Sequence, residues 1–186
     1  MKLRETLIAN PIIVAIRNDH DLDKALLSKA SIVFVLYGDI LTISNICSRL
    51  KEKNKMVFVH VDLIEGLRGD SAGIRYIKEN VHPQGIISTK TSNIKYGNQL
   101  GLYTILRVFI MDSLSIKTGI KNIHENKPNA VEVMPGVASK IISVIQQETN
   151  SCIIAGGLIK TKKDVIESLS AGAVAISTTA SQLWNL

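Results

Sequence analysis

The stretch 152–179, CIIAGGLIKTKKDVIESLSAGAVAISTT, decides the fold. An apolar run, Cys152–Ala155, ends at the Gly156-Gly157 pair, and the pattern over Lys162–Ala171 then carries apolar residues at helical spacing. Gly172 introduces a second apolar run, Ala173–Ser177. Strands that are apolar at nearly every position are buried on both faces, and two of them joined by a helix form a βαβ unit of parallel sheet.

The same alternation extends back to the start of the chain. Strand patterns are expected at Ile12–Ile16, Ile32–Leu36, Met56–Val61, Gly85–Ile87, Tyr103–Val108 and Ala130–Val133. Helical patterns lie between them at Leu22–Lys29, Ile43–Lys53, Ala72–Glu79, Ser92–Gln99, Ser115–Glu125 and Ala138–Glu148, most preceded by Asp, Thr, Ser or Asn able to cap a first turn. With the quoted stretch this makes eight strands, the count of a (β/α)8 barrel. A length of 186 residues is below the roughly 250 usual for that fold, so short helices, lean loops and one domain over 1–186 are expected. A doubly wound open sheet is the alternative arrangement.

Composition narrows the function classes. Hydrophobic residues make up 46% of the chain and charged ones 20%, enough apolar surface for a folded core. Charged residues or His interrupt every apolar stretch before bilayer length, and the first seventeen residues lack the pattern of a secretory signal, so a cytoplasmic protein without membrane contact is expected. Cys47 and Cys152 read as two buried reduced thiols, with a disulfide as the alternative. His20, His82 and His124 lack metal-ligand spacing, and no cofactor motif is present. The net charge of +6 favours an anionic partner, either a phosphorylated small molecule or nucleic acid. Its lysines are spread along the chain, and those at Lys51, Lys53 and Lys55 should lie at the end of the barrel away from any site.

In such a barrel function sits where strands end and the following loops begin. Those ends are polar here: Arg17 after strand 1, His60 and Asp62 at strand 3, Ser88 at strand 4, Arg107 at strand 5, Glu132 ahead of Pro135 and Gly136 at strand 6. His60 and Asp62, two apart in an extended segment, are expected to share one side. Charged groups in apolar strands need partners, either one another in an ion network or the hydroxyl and carbonyl groups of a ligand. The Gly156-Gly157 turn and the Ser177-Thr178-Thr179 turn stand after strands 7 and 8, where many barrels bind phosphate, and a short helix over Ala180–Trp184 would offer amides to it. Lys160 adds a point charge nearby.

The segments His60–Gly66, Gly85–Lys90, Glu132–Gly136, Ala155–Lys160 and Ala171–Ala175, with Ser177-Thr178, in that order, resemble the glycerol-3-phosphate responsive antiterminators of glycerol uptake operons. The resemblance runs from Pro11 to Trp184 and implies a phosphate-binding barrel without catalytic turnover. Such a protein binds glycerol 3-phosphate as its ligand, needs no cofactor, and acts on the leader mRNA of glycerol-metabolism operons to prevent termination. With the strand ends above, it implies a glycerol-reading set of Arg17, His60, Asp62, Ser88, Arg107 and Glu132, and a phosphate set of Gly136, Gly156, Gly157, Ser177 and Thr178. Lys160 stands where the family often carries Arg, replacing a bidentate fork by a point charge. The RNA surface is not legible, and a homodimer is plausible for a small barrel. The competing class is an enzyme of a small phosphorylated substrate, with His60, Asp62 and Glu132 as acid and base. The loop Glu65–Asp70, with its two glycines, is the segment expected to move over a bound ligand.

Overall fold

The computed structural model describes residues 3–186. Eight parallel strands close into a barrel in sequential order, β8 pairing back to β1. They are β1 Ile12–Ile16, β2 Ile32–Val35, β3 Met56–His60, β4 Gly85–Ser88, β5 Tyr103–Phe109, β6 Ala130–Met134, β7 Ile153–Gly156 and β8 Ala175–Thr178. The barrel expectation holds, and closure disposes of the open sheet.

Helices follow the strands: α2 Asp19–Leu27, α3 Ile43–Glu52, α4 Ser71–Tyr76, α5 Thr91–Gln99, α6 Ser113–Asn126, α7 Ser139–Thr149 and α8 Lys162–Ser170. Side-chain caps start several of them. The Asn18 side chain accepts from the Asp21 amide at 2.8 Å, Asp70 from Gly73 at 2.9 Å and Asp112 from Ser115 at 2.7 Å, each satisfying an otherwise orphaned donor. Thr161 and Asp164 cap α8 reciprocally.

Period-two alternation sorts the strand residues into two rows. Val14, Val33, Val57, Ile86, Val131 and Ile153 face outward and pack under the helices. Ile13, Ala15, Ile32, Phe34, Phe58, Ile87, Ile105, Ala130, Ile154 and Ala175 fill the barrel. Within this inner core Phe34 and Phe58 meet edge to face at 5.7 Å between centroids.

One element was not expected. Helix α1, Leu3–Ala9, precedes β1, and its buried Leu3 and Leu7 join the inner cluster, closing the barrel at the end where strands begin. The end of the chain is also shorter than expected: Ala180–Trp184 is a single 3-10 turn over Ser181–Leu183, and the Ala180 amide donates to Thr178 Oγ1 at 3.0 Å. That turn is too short for a dipole, and one of its amides is taken. Trp184 is buried against it, its indole donating to the Thr178 carbonyl at 3.0 Å.

The lysines ahead of β3 have structural work. Lys55 Nζ donates to the Ser28 and Ala30 carbonyls at 2.6 and 2.7 Å, and Lys51 Nζ to the Val81 carbonyl at 3.0 Å. Both thiols are free and buried, and burial pushes Cys47 up to about 12 and Cys152 up to about 11, so each is a neutral thiol at neutral pH. Among the described residues, no helix is long and apolar enough to cross a membrane.

Candidate functional site

Following the inner row toward the strand ends changes its chemistry. Phe58 gives way to His60 on β3, Ile105 to Arg107 on β5, Ala130 to Glu132 on β6, Ile154 to Gly156 on β7 and Ala175 to Ser177 on β8. The last inward layer of the barrel is therefore polar. Register places Arg107 beside Glu132 and Gly156 beside Ser177.

Glu132 is fully buried and anchors this layer. Its Oε2 accepts from Arg107 Nε at 2.6 Å and its Oε1 accepts from Ser177 Oγ. Glycine is required at 156 because a Cβ there would stand 2.5 Å from Glu132 Oε1 and 2.9 Å from Ser177 Oγ. Gly136 meets a similar constraint from backbone, its Cβ position lying 2.7 Å from the Gly156 nitrogen, and its amide donates to the Gly156 carbonyl. These two glycines let β6 and β7 approach each other and keep space for the buried carboxylate.

Above this layer opens a cavity of about 500 Å3. It brings together Arg17, Arg107, Glu132, Gly157, Ser177 and Thr178 of the expected set, and adds Lys160, Thr179, Met134 and Leu158. With Glu132 paired to Arg107, the cations Arg17 and Lys160 have no carboxylate opposite them on the cavity wall, a field that favours an anion. Gly157, at φ +76°, turns the backbone along that wall.

The other expected residues stand elsewhere. Asp62, Ser88 and His60 are not on the cavity wall. The chain leaves extended conformation after His60 and enters a 3-10 turn over Val61–Leu63, so the expected shared side of a straight strand does not exist. Asp62 instead reaches β4, where it accepts from Ser88 Oγ at 2.9 Å, the Thr89 amide at 2.7 Å, Thr89 Oγ1 at 3.0 Å and Asn93 Nδ2 at 3.1 Å. A carboxylate so supplied with donors ties β3 to the start of α5. Ser88 and Thr178 lie on the outward row, one residue out of phase with the inner one; Thr178 Oγ1 donates to the Ile159 carbonyl at 2.8 Å, although the residue still lines the cavity. Asn93, buried in the first turn of α5, is a site-supporting residue the sequence reading missed. The loop Glu65–Asp70 is held at its base, where the Ile40 amide donates to the Glu65 carbonyl at 2.9 Å and the Glu65 amide to Gly38 at 3.0 Å.

His60 lies beneath the cations, almost wholly buried, its Nδ1 4.0 Å from Asp62 Oδ2 and without a hydrogen-bond partner. Burial and then the Arg107 guanidinium hold its pKa down to about 4, against the pull of Asp62. The imidazole is neutral in the folded protein at neutral pH. Unfolding restores a value near 6.5, so the unfolded chain binds more protons between those limits. His60 therefore contributes stability that is intact above about pH 6.5 and falls as pH drops toward 4. Urea unfolding across this range is expected to show a slope approaching 1.4 kcal/mol per pH unit from this group, and His60→Gln should remove it. An unchanged slope would mean His60 titrates normally.

A family model described as glycerol-3-phosphate responsive antiterminator matches residues 12–184. The chain belongs to that family. Like this antiterminator-family barrel, the crystal structure of the glycerol uptake operon antiterminator regulatory protein of Listeria monocytogenes superposes over 93% of this chain and 94% of its own, at TM-score 0.90 and 29% identity. A glycerol uptake operon antiterminator-related protein of Thermotoga maritima does so over 94% and 98%, at TM-score 0.84 and 31% identity. The uncharacterized protein YgcP of Escherichia coli K12 is 37% identical over all of this chain and 97% of its own.

Proposed function

We propose that this antiterminator-family barrel is a sensor that binds glycerol 3-phosphate in the cavity at its strand ends and, when loaded, binds the leader mRNA of glycerol uptake and metabolism genes to prevent termination. The observation that carries the reading is the cavity itself. Arg17 and Lys160 give it a positive wall beside the turns after β7 and β8, and the Arg107–Glu132 pair offers hydrogen-bonding groups across it. In this assignment Gly157, Lys160 and the Ser177–Thr179 turn hold the phosphate, and Arg107 and Glu132 read the hydroxyls. Glycerol itself has no charge for that wall, so phosphate supplies most of the affinity.

A sensor is favoured over an enzyme because the acid and base groups offered by the strand ends are committed. His60 is neutral and off the cavity wall, Asp62 is saturated with donors, and Glu132 is locked between Arg107 and Ser177. None is poised to exchange a proton with a bound substrate. RNA binding rests on family membership and the net charge of +6.

Glycerol 3-phosphate is expected to raise the melting temperature in proportion to the logarithm of its concentration, inorganic phosphate to do so less, and glycerol hardly at all. Equal shifts with glycerol 3-phosphate and inorganic phosphate would remove the glycerol-reading role from Arg107 and Glu132. No shift with either would remove the cavity as the ligand site.

A further inference from the structure

The cavity does not end at its polar wall. Met134, Gly157 and Leu158 also border a second concavity of about 510 Å3, completed by Phe109, Ile110, Met111 and Pro135. Every side chain of this groove is apolar, yet Met111 is 86% exposed, Leu158 66% and Phe109 52%. Leaving that much apolar side chain in water beside a binding site marks a surface completed by something else.

Leu158 is the most telling of these residues. It stands at φ +62°, in the left-handed region that a leucine rarely adopts, directly after Gly157 at +76°. The turn thus holds a strained leucine with its apolar side chain at the border between the polar cavity and the apolar groove. Strain of this kind persists where surrounding structure imposes it, and it concentrates at ligand sites.

We infer that the ligand is amphipathic: a glycerol 3-phosphate head in the polar cavity carrying an acyl or alkyl chain that lies in the groove of Phe109, Met111, Met134, Pro135 and Leu158. This deepens the assignment of the cavity to glycerol 3-phosphate and rests on it. Bare glycerol 3-phosphate leaves the groove uncovered and fills only part of an enclosure in the size range of drug-like ligand sites. A second copy of the chain would also cover apolar residues, but the groove is concave and opens into the polar cavity through shared residues. A single molecule with a charged head and an apolar tail is complementary to both halves at once.

The test is calorimetric titration of the full chain with glycerol 3-phosphate and with 1-hexanoyl-glycerol 3-phosphate below its micelle concentration. The wild type, Phe109→Thr and Met111→Gln are compared; both substituted side chains lie outside the polar cavity. The acylated ligand is expected to bind at least about tenfold more tightly in the wild type, and both variants should lose most of that advantage while keeping their affinity for glycerol 3-phosphate. Equal affinities in the wild type, with glycerol 3-phosphate still binding, would overturn the inference and leave the assignment of the cavity standing. An advantage that survives both substitutions would overturn the groove as the place of the chain. No heat from either ligand would overturn the cavity assignment and the inference with it, whereas binding of the acylated ligand alone would support the inference and replace the ligand. Capture by vesicles containing lysophosphatidic acid without binding of the soluble ligand, or a sedimentation dimer that Met111→Gln dissolves, would overturn it in favour of a membrane surface or a second copy.

Discussion

Glu132→Ala is expected to lower folding stability by about 3–5 kcal/mol, because it leaves the buried Arg107 guanidinium without its partner. Arg107 is only 8% exposed, so water cannot replace the carboxylate without rearrangement. Ser177 loses its acceptor in the same step, and a void opens between Gly156 and Arg107. The midpoint of urea unfolding measures the loss. Glu132→Gln keeps the shape and an acceptor for Ser177 but not the charge, and should fall between the wild type and alanine. If the variant protein is examined under conditions where it stays folded, its affinity for glycerol 3-phosphate should drop more than its affinity for inorganic phosphate, since polar groups built to meet hydroxyls are what discriminate the two. Stability within about 0.5 kcal/mol of wild type would contradict the picture of a buried pair holding the mouth together.

Gly157→Asp is expected to cut phosphate affinity at least about a hundredfold while the barrel stays folded. The substitution places a carboxylate on the wall that Arg17 and Lys160 make attractive to anions, and like charges at such range in a partly desolvated site cost several kcal/mol. It also forces a residue with a Cβ to φ +76°, where that atom would lie 2.7 Å from Met134 Cε. That contact is with the flexible end of a methionine, which can swing away, and aspartate tolerates the left-handed region better than most residues. Calorimetry with glycerol 3-phosphate reads the loss, and far-ultraviolet circular dichroism checks the fold. Unchanged affinity would take the turn after β7 out of the site.

Much of this was legible in the sequence, for identifiable reasons. Parallel strands buried on both faces show as continuous apolar runs, so all eight were located, with boundaries shifted by a residue or two, as where β3 stops at His60 and β8 starts at Ala175. The same property hides the phase of each strand. When Ile86 and Ile87 are both buried, nothing in the pattern says which of Ser88 and Thr89 follows the inner row, and Ser88 and Thr178 were assigned to the site although their side chains belong to the outer row. Arg107 and Glu132 escaped this ambiguity, because a charged residue between apolar neighbours marks its own phase.

Helix α1 was missed for a different reason. Leu3, Thr6 and Leu7 are the buried positions, a spacing of three to four that signals a helix, but the segment was read as an alternation of charged and apolar residues. The true environment of Asp62 was not readable at all. Its donors come from Ser88, Thr89 and Asn93, about thirty residues away, and only the pairing of β3 with β4 and the 3-10 turn after His60 bring them together.

The account stands or falls on whether ligand occupancy of this cavity controls RNA binding. The direct measurement is an RNA mobility shift on a glycerol-operon leader transcript, with and without glycerol 3-phosphate, at two salt concentrations, with glycerol and inorganic phosphate as controls. A ligand that switches the protein must favour one state over another, so a retarded complex is expected with glycerol 3-phosphate and not with glycerol, weakening at the higher salt as neutralised RNA phosphates regain their counterions. Retardation that is the same with and without glycerol 3-phosphate, or none under any condition while the ligand still raises the melting temperature, would contradict it.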